Sequence, residues 1–332
     1  MISLAPPNGD VEAQVFFLDS GVSAQSSDWQ KLNYLTQFLK VHKLVNELQP
    51  DVINAHYATS YGALAVFAGI KKYILSVWGG DVYTFPRKSC LHRYLLKIVL
   101  RRAGLLFSTS QAMAKEAAKY TDKAFVITPF GVDMKFFSPV LRKRNDSNFV
   151  IGTVKTLSPK YGIETILKAT AKVRKERPDI PLKLRIAGTG SHEQEYHKLA
   201  TDLELDGCLL WLGFISQSEA AKEWANFDCA IIPSESESES FGVSAVEAQS
   251  CGCPVIISDI PGLMEATKPG ETSLVIPRGD VEALASAIVK LYQQPDLRQK
   301  MGAAGRAYVQ ERYELNDCFA EVEKMFYDWI KK

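Results

Sequence analysis

Short apolar runs alternate with longer amphipathic ones along most of these 332 residues, and that rhythm constrains the fold more than any other feature. A brief apolar run bounded by turn formers fits a strand buried on both faces, and the amphipathic run after it fits the helix that covers the strand. Repeated, the pair builds βαβ units on a parallel sheet. In the first half, strands are expected at 51–55, 73–77, 104–108 and 124–127, with helices at 29–48, 62–68, 91–102 and 112–120. Pro50 stops the first of these helices. In the second half, strands are expected at 149–154, 182–187, 209–212, 229–232, 254–257 and 273–275. Helices fall between them at 163–175, 193–203, 218–224, 243–250 and 281–292, and a last amphipathic helix at 319–330.

A chain of this length, 46% apolar, exceeds what one ordinary core needs, so two domains are expected. The polar, basic stretch 138–148 is the linker candidate, giving domains at 1–140 and 141–310 and a C-terminal helical segment at 311–332. The net charge of +1 argues against a nucleic-acid partner, which would demand many neutralised phosphates. The charge is nevertheless uneven: residues 1–150 hold 18 Lys and Arg against 11 Asp and Glu, and the remainder 21 against 27. The six cysteines lack the paired spacing of a zinc site and read as small buried residues, so no metal is expected. Neither a signal peptide nor a long apolar span is visible, and a soluble, reduced, cytoplasmic protein is expected.

Ligands of doubly wound sheets bind beyond the carboxyl ends of the strands, so chemistry is sought just after each one. After 229–232, Glu239 and Glu247 lie eight apart around a glycine, Gly242, that opens a helix. The N–H groups of Gly242, Val243 and Ser244, with the positive end of the helix dipole, suit a phosphate. The two carboxylates suit sugar hydroxyls. The plainer reading makes Glu239 the end of a solvated Glu/Ser run and Glu247 a surface helix residue. After 149–154, Lys155 and Lys160 are placed to neutralise a departing diphosphate, or are ordinary surface lysines. Gly188 and Gly190 form a short GxG, either a plain turn or a close backbone approach to a ligand. In the first half, His56 follows one strand and Trp78, Gly79 and Asp81 follow the next. His56 is a candidate hydrogen-bonding partner for a hydroxyl or a structural histidine; Asp81 either orients an acceptor or holds its loop. Arg93, Lys97 and Arg101 recur on one helical face beside a leucine-rich one, fitting either an anionic leaflet or a packed helix with a basic edge.

The Glu239 to Glu247 segment, with Ile231-Ile-Pro-Ser before it, Ser258-Asp-Ile-Pro-Gly and the stretch 270–280 after it, and Leu212-Gly-Phe upstream, resembles the ExxxxxxxE region of retaining GT-B glycosyltransferases of the group 1 family. The resemblance spans almost all of 149–290. It implies two Rossmann-like α/β domains facing across a cleft and a nucleotide-diphosphate sugar as co-substrate, with no other cofactor and no metal. Glu247 would hold the ribose and Glu239 the transferred sugar, while the N–H groups after Phe241 would hold the diphosphate. Gly188 and Gly190 would lie beside the nucleotide. Glu239, Lys155, Lys160 and His56 would form the catalytic set, with Trp78, Gly79 and Asp81 on the acceptor side. The sequence departs from the family in two places. Lysines displaced by one position stand where an Arg and a Lys are usual, and Trp78 stands where a histidine is common. The acceptor would be a sugar or a lipid-linked sugar in cell-surface polysaccharide or glycolipid synthesis, reached at the inner face of the membrane through Arg93, Lys97 and Arg101. The start resembles the end of the family's second strand, so about 30 residues of an N-terminal βα unit are expected to be absent, with weak activity as the consequence. A nucleotide-sugar epimerase and a non-catalytic nucleotide-sugar-binding remnant are the alternatives.

Overall fold

The computed structural model describes residues 36–143 and 146–331, together with the backbone of two short paired parallel strands, β1 (Ile2–Ser3) and β2 (Phe16–Phe17). The expectation about a missing N-terminal unit, and the first part of the helix expected from 29, lie outside the described residues. By its internal contacts the chain divides into two units, Met1–Thr128 with Glu323–Lys332, and Pro129–Val322. The polar stretch at 138–148 lies inside the second unit. There Arg142 pairs with Asp228 at 2.7 Å and also donates to the Phe227 carbonyl at 3.0 Å.

The first unit carries four parallel strands in the order β3 (Asn54–His56), β4 (Ile74–Val77), β5 (Leu105–Ser108), β6 (Phe125–Ile127). Its helices are α1 (Phe38–Leu48), α2 (Ala63–Phe67), α3 (Gly80–Tyr83), α4 (Cys90–Arg102) and α5 (Gln111–Ala117). Ser89 and Ser110 set the starts of α4 and α5, each hydroxyl accepting an N–H from the first turn. In α4 the residues three and four apart, Leu96, Val99 and Leu100, are buried against Tyr73, Leu75, Val77 and Leu106. Leu91, Tyr94, Arg93 and Arg101 of the same helix are exposed. Cys90, read from the sequence as buried, is exposed at the start of α4, because the first turn of a surface helix leaves its outward positions in solvent.

The second unit is a six-stranded parallel sheet built from β7 (Phe149–Val154), β8 (Leu182–Ala187), β9 (Leu209–Gly213), β10 (Cys229–Ile232), β11 (Val255–Ser258) and β12 (Ser273–Ile276), in the order β12-β11-β10-β7-β8-β9. Its central strands are apolar on both faces, and their side chains alternate between two cores as a pleated strand requires. Ile151, Ile231 and Ile256 face one core, where α6 (Ile163–Glu176), α7 (Glu193–Asp202) and α11 (Val281–Gln293) pack. Val150, Ala230, Ile232, Val255 and Ile257 face the other. That core holds α8 (Gln217–Asn226), α9 (Val243–Ser250), α10 (Pro261–Ala266) and the end of α12 (Pro295–Arg312). The last helix, α13 (Leu315–Ile330), begins four residues before the expected start and passes from the second unit to the first. Among the described residues no helix is long and apolar enough to cross a membrane.

Candidate active site

In the second unit the chain runs from β7 outward to β8 and β9, then returns to lay β10, β11 and β12 on the other side of β7. The reversal leaves a crevice at the carboxyl ends of β7 and β10, the position at which open α/β sheets bind ligands. Lys155 and Lys160 lie on the segment that follows β7, and Glu239 on the segment that follows β10. The Glu235 N–H donates to the Lys160 carbonyl at 2.8 Å, tying the two segments together. Lys155 Nζ lies 3.2 Å from both carboxylate oxygens of Glu239, and both side chains are close to fully buried. Lys160 Nζ donates to the Ser238 carbonyl at 3.3 Å. Burial pushes the Lys160 pKa down, the Glu239 charge opposes that, and the Lys155 charge adds to it. The two ammonium groups sit beside each other at the crevice, Lys155 paired with Glu239 and Lys160 held by a backbone carbonyl.

Gly242, at φ +81°, turns the chain into α9 from a left-handed conformation that favours glycine. Intrahelical bonding begins with Ala245 and Val246 donating to the Gly242 carbonyl, so the N–H groups of Gly242, Val243 and Ser244 belong to the open end of the helix. The Ser244 hydroxyl donates to the Val154 carbonyl at 3.3 Å, docking that end on the last residue of β7, beside Lys155. Phe241 is buried edge-on between Phe130 and Tyr313, and anchors the helix mouth to the core.

Glu247 follows one turn into α9 and accepts the indole N–H of the fully buried Trp224 at 3.1 Å. Burial raises its pKa, while the Trp224 bond and the Lys155 charge pull it back, which puts Lys155 within electrostatic reach of both glutamates. With Asp133, Gln217, Phe241 and Val243 it lines a concavity of about 350 Å³. Gly188, at φ +129°, and Gly190 have a reason within the fold itself. A Cβ on Gly188 would strike the Lys155 carbonyl, and one on Gly190 the Leu157 carbonyl. The segment that carries the lysines rests directly on this turn, with Leu157 N–H donating to the Thr189 carbonyl at 3.0 Å.

In the first unit, Asp81 is 1% exposed and accepts three backbone N–H groups: Trp78 at 3.1 Å and Gly79 at 2.9 Å on one oxygen, Ala58 at 2.9 Å on the other. Of the two roles left open for it, the geometry fits the one in which it holds the loops after β3 and β4 together. Trp78 donates its indole N–H to His56 Nδ1 at 3.2 Å. The Asn54 amide nitrogen approaches Nε2 at 3.3 Å, so each ring nitrogen faces an N–H group. Burial lowers the His56 pKa. Tyr57, at φ +71°, stacks on Trp78 with centroids 5.7 Å apart.

Two residues join the site that sequence reasoning did not reach. Trp224 lies 23 positions from Glu247, and the only signal was that a buried indole needs an acceptor. Tyr161, next to Lys160, faces both lysine ammoniums. Among the described residues no group of three or more His, Cys, Asp or Glu is placed so that it could hold a metal ion.

A family model described as glycosyl transferases group 1 matches residues 135–308, the unit that holds these groups. The chain belongs to the group 1 glycosyl transferases. A second model, glycosyl transferase 4-like, matches 9–110 of this glycosyl transferase. It is 32% identical over 302 residues to D-inositol 3-phosphate glycosyltransferase of Pseudarthrobacter chlorophenolicus, a match that covers 80% of this chain and 70% of that protein. Among solved structures it resembles sucrose-phosphate synthase from Thermosynechococcus elongatus, with a TM-score of 0.79, 21% identity, and coverage of 98% of this chain and 86% of that one. It also resembles Anabaena HepE in complex with UDP-glucose, with a TM-score of 0.75, 21% identity, and coverage of 88% and 82%. These likenesses show the GT-B fold.

Proposed function

We propose that this glycosyl transferase moves a sugar from a nucleotide-diphosphate donor to a hydroxyl acceptor with retention of anomeric configuration and without a metal. The observation that carries the reading is the convergence of Lys155, Lys160 and Glu239 at the crevice between β7 and β10, beside the open end of α9. The HepE complex with UDP-glucose supports a nucleotide sugar as donor. In this reading Glu247, steadied by Trp224, takes the ribose hydroxyls. Gly188 and Gly190 keep the neighbouring backbone close to the nucleotide. The N–H groups of Gly242, Val243 and Ser244 and the two ammoniums take the diphosphate, and Glu239 takes the sugar.

As the bond from the anomeric carbon to the diphosphate oxygen breaks, negative charge grows on that oxygen, where the lysines and the helix end stabilise it most. The acceptor oxygen bonds to the same face of the carbon, and its proton leaves on the departing phosphate. His56, Trp78, Gly79 and Asp81 are assigned to the acceptor side, His56 as a hydrogen-bonding partner for a hydroxyl and Asp81 through the loops it pins. The acceptor is a sugar or lipid-linked sugar of a polysaccharide or glycolipid. The exposed Arg93 and Arg101, with Lys97 beside them and Leu91 and Tyr94 on the same surface, support contact with the inner, anionic face of a membrane. Loss of co-sedimentation with anionic vesicles on replacing the three basic residues is expected at low salt; binding that survives their removal refutes that part.

A thermal-shift panel of nucleotide sugars tests the main reading. One donor is expected to raise the melting temperature, and Glu247→Ala to abolish that rise. NMR of the product then reads the anomeric configuration, and an inverted product overturns the retaining assignment.

A further inference from the structure

Lys155 and Lys160 present like charges to one crevice, and something must hold both ammoniums there before an anion arrives. Glu239 takes Lys155, and the Ser238 carbonyl takes Lys160. Both nitrogens also lie over one ring: Lys155 Nζ is 4.8 Å and Lys160 Nζ 5.1 Å from the centroid of Tyr161. Those distances are inside the range in which the negative face of an aromatic ring attracts a cation. The ring is fixed by its place in a short helical turn, Pro159–Tyr161, closed by Gly162, and by the Tyr161 N–H donating to the Ser158 carbonyl at 3.1 Å.

We propose that Tyr161 is a positioning residue that holds the two lysine ammoniums by cation–π attraction at the place where the donor's terminal phosphate binds. The inference rests on the nucleotide-diphosphate reading given above and adds to it the group that organises the phosphate subsite. Without the ring, the lysine stems have more rotamers to choose from than phosphate contacts allow, and solvent competes for both heads. With it, the positive charge is arranged before binding, and less ordering is left for the ligand to impose. The attraction is to the ring face.

Calorimetric titration with UDP, GDP, UMP and GMP tests this on the full chain. Wild type is expected to bind one diphosphate. Tyr161→Phe is expected to stay within about twofold of it, and Tyr161→Leu to bind it about tenfold more weakly with the matching monophosphate unchanged. Equal loss for monophosphate and diphosphate, or no loss in Tyr161→Leu, overturns the inference while the donor reading stands. Wild type that binds none of the four overturns both. If Tyr161→Leu fails to fold, phenylalanine carrying one, two and three ring fluorines at this position keeps the shape and drains the ring face stepwise. Diphosphate affinity is then expected to fall with each fluorine, and a flat series refutes the role.

Discussion

Asp81 in the first unit and Glu239 in the second are carboxylates of similar burial, 1% and 8% exposed, yet their partners differ in kind. Asp81 is held by three peptide N–H groups from two loops, none of which can leave without unfolding the turn. Glu239 is held by a lysine on a flexible four-carbon stem, which can swing to another anion. Burial alone therefore does not mark a functional acid. What the acid touches decides how firmly it fixes the chain.

The largest expected effect tests the fixed side of that contrast. Asp81→Ala strands up to three N–H groups and is expected to lower stability by about 3 kcal/mol or more, read by denaturant unfolding and by faster hydrogen exchange around 57–62. Gly188→Ala, where a Cβ meets the Lys155 backbone, is expected to cost the second unit about 2–3 kcal/mol and to weaken anion binding through the displaced lysine. Glu239→Gln is expected to cost only about 1–2 kcal/mol, because the amide oxygen still accepts from Lys155 and the Tyr161 ring stays beside the ammonium, while donor binding is largely lost. A loss as large as that of Asp81→Ala would break the contrast.

Glu247→Gln sharpens it. Burial raises the Glu247 pKa in the folded state above its unfolded value, so its ionised form burdens the fold at neutral pH. Gln keeps an acceptor for Trp224 and removes that charge. The variant is expected to melt at or above wild type at neutral pH, with the difference vanishing on acidification below the ordinary glutamate range, while nucleotide affinity falls. The smallest effect concerns His56, whose folded pKa lies below 6.5. The unfolded chain takes up that proton first, so stability falls as pH drops through the ordinary histidine range. His56→Gln is expected to flatten that part of a melting-temperature profile.

Much of the second unit was legible in the sequence. The expected strands at 149–154, 182–187 and 229–232 coincide with β7, β8 and β10, because each is a short, mostly apolar segment, alternating with Lys and Arg in β8, between stretches of another character. α12 was not expected, since Pro295, Gly302 and Gly305 look like breakers; Gly302 in fact lets the helix lie against the Gly252 backbone. Short α3 and the tight turn at Tyr57–Gly62 went unseen for another reason, because Asp81 shapes them through tertiary bonds that no periodicity encodes. For the candidate site, the residue types and their places after strands were readable. The pairing of Lys155 with Glu239, 84 positions away, and the shared Tyr161 ring were not, since both depend on the crossover that brings β10 back beside β7.

Near its end, α13 stacks Phe326 on the buried Phe107 at 6.0 Å, and sets Trp329 against Gly104 with Lys72 over the indole at 5.3 Å. These aromatic residues complete the first unit, yet the ribosome makes them only after all of the second. The earlier-made sheet must wait, one flank bare, through the synthesis of nearly two hundred further residues. Chaperone dependence is thus expected to fall on the first unit rather than the second.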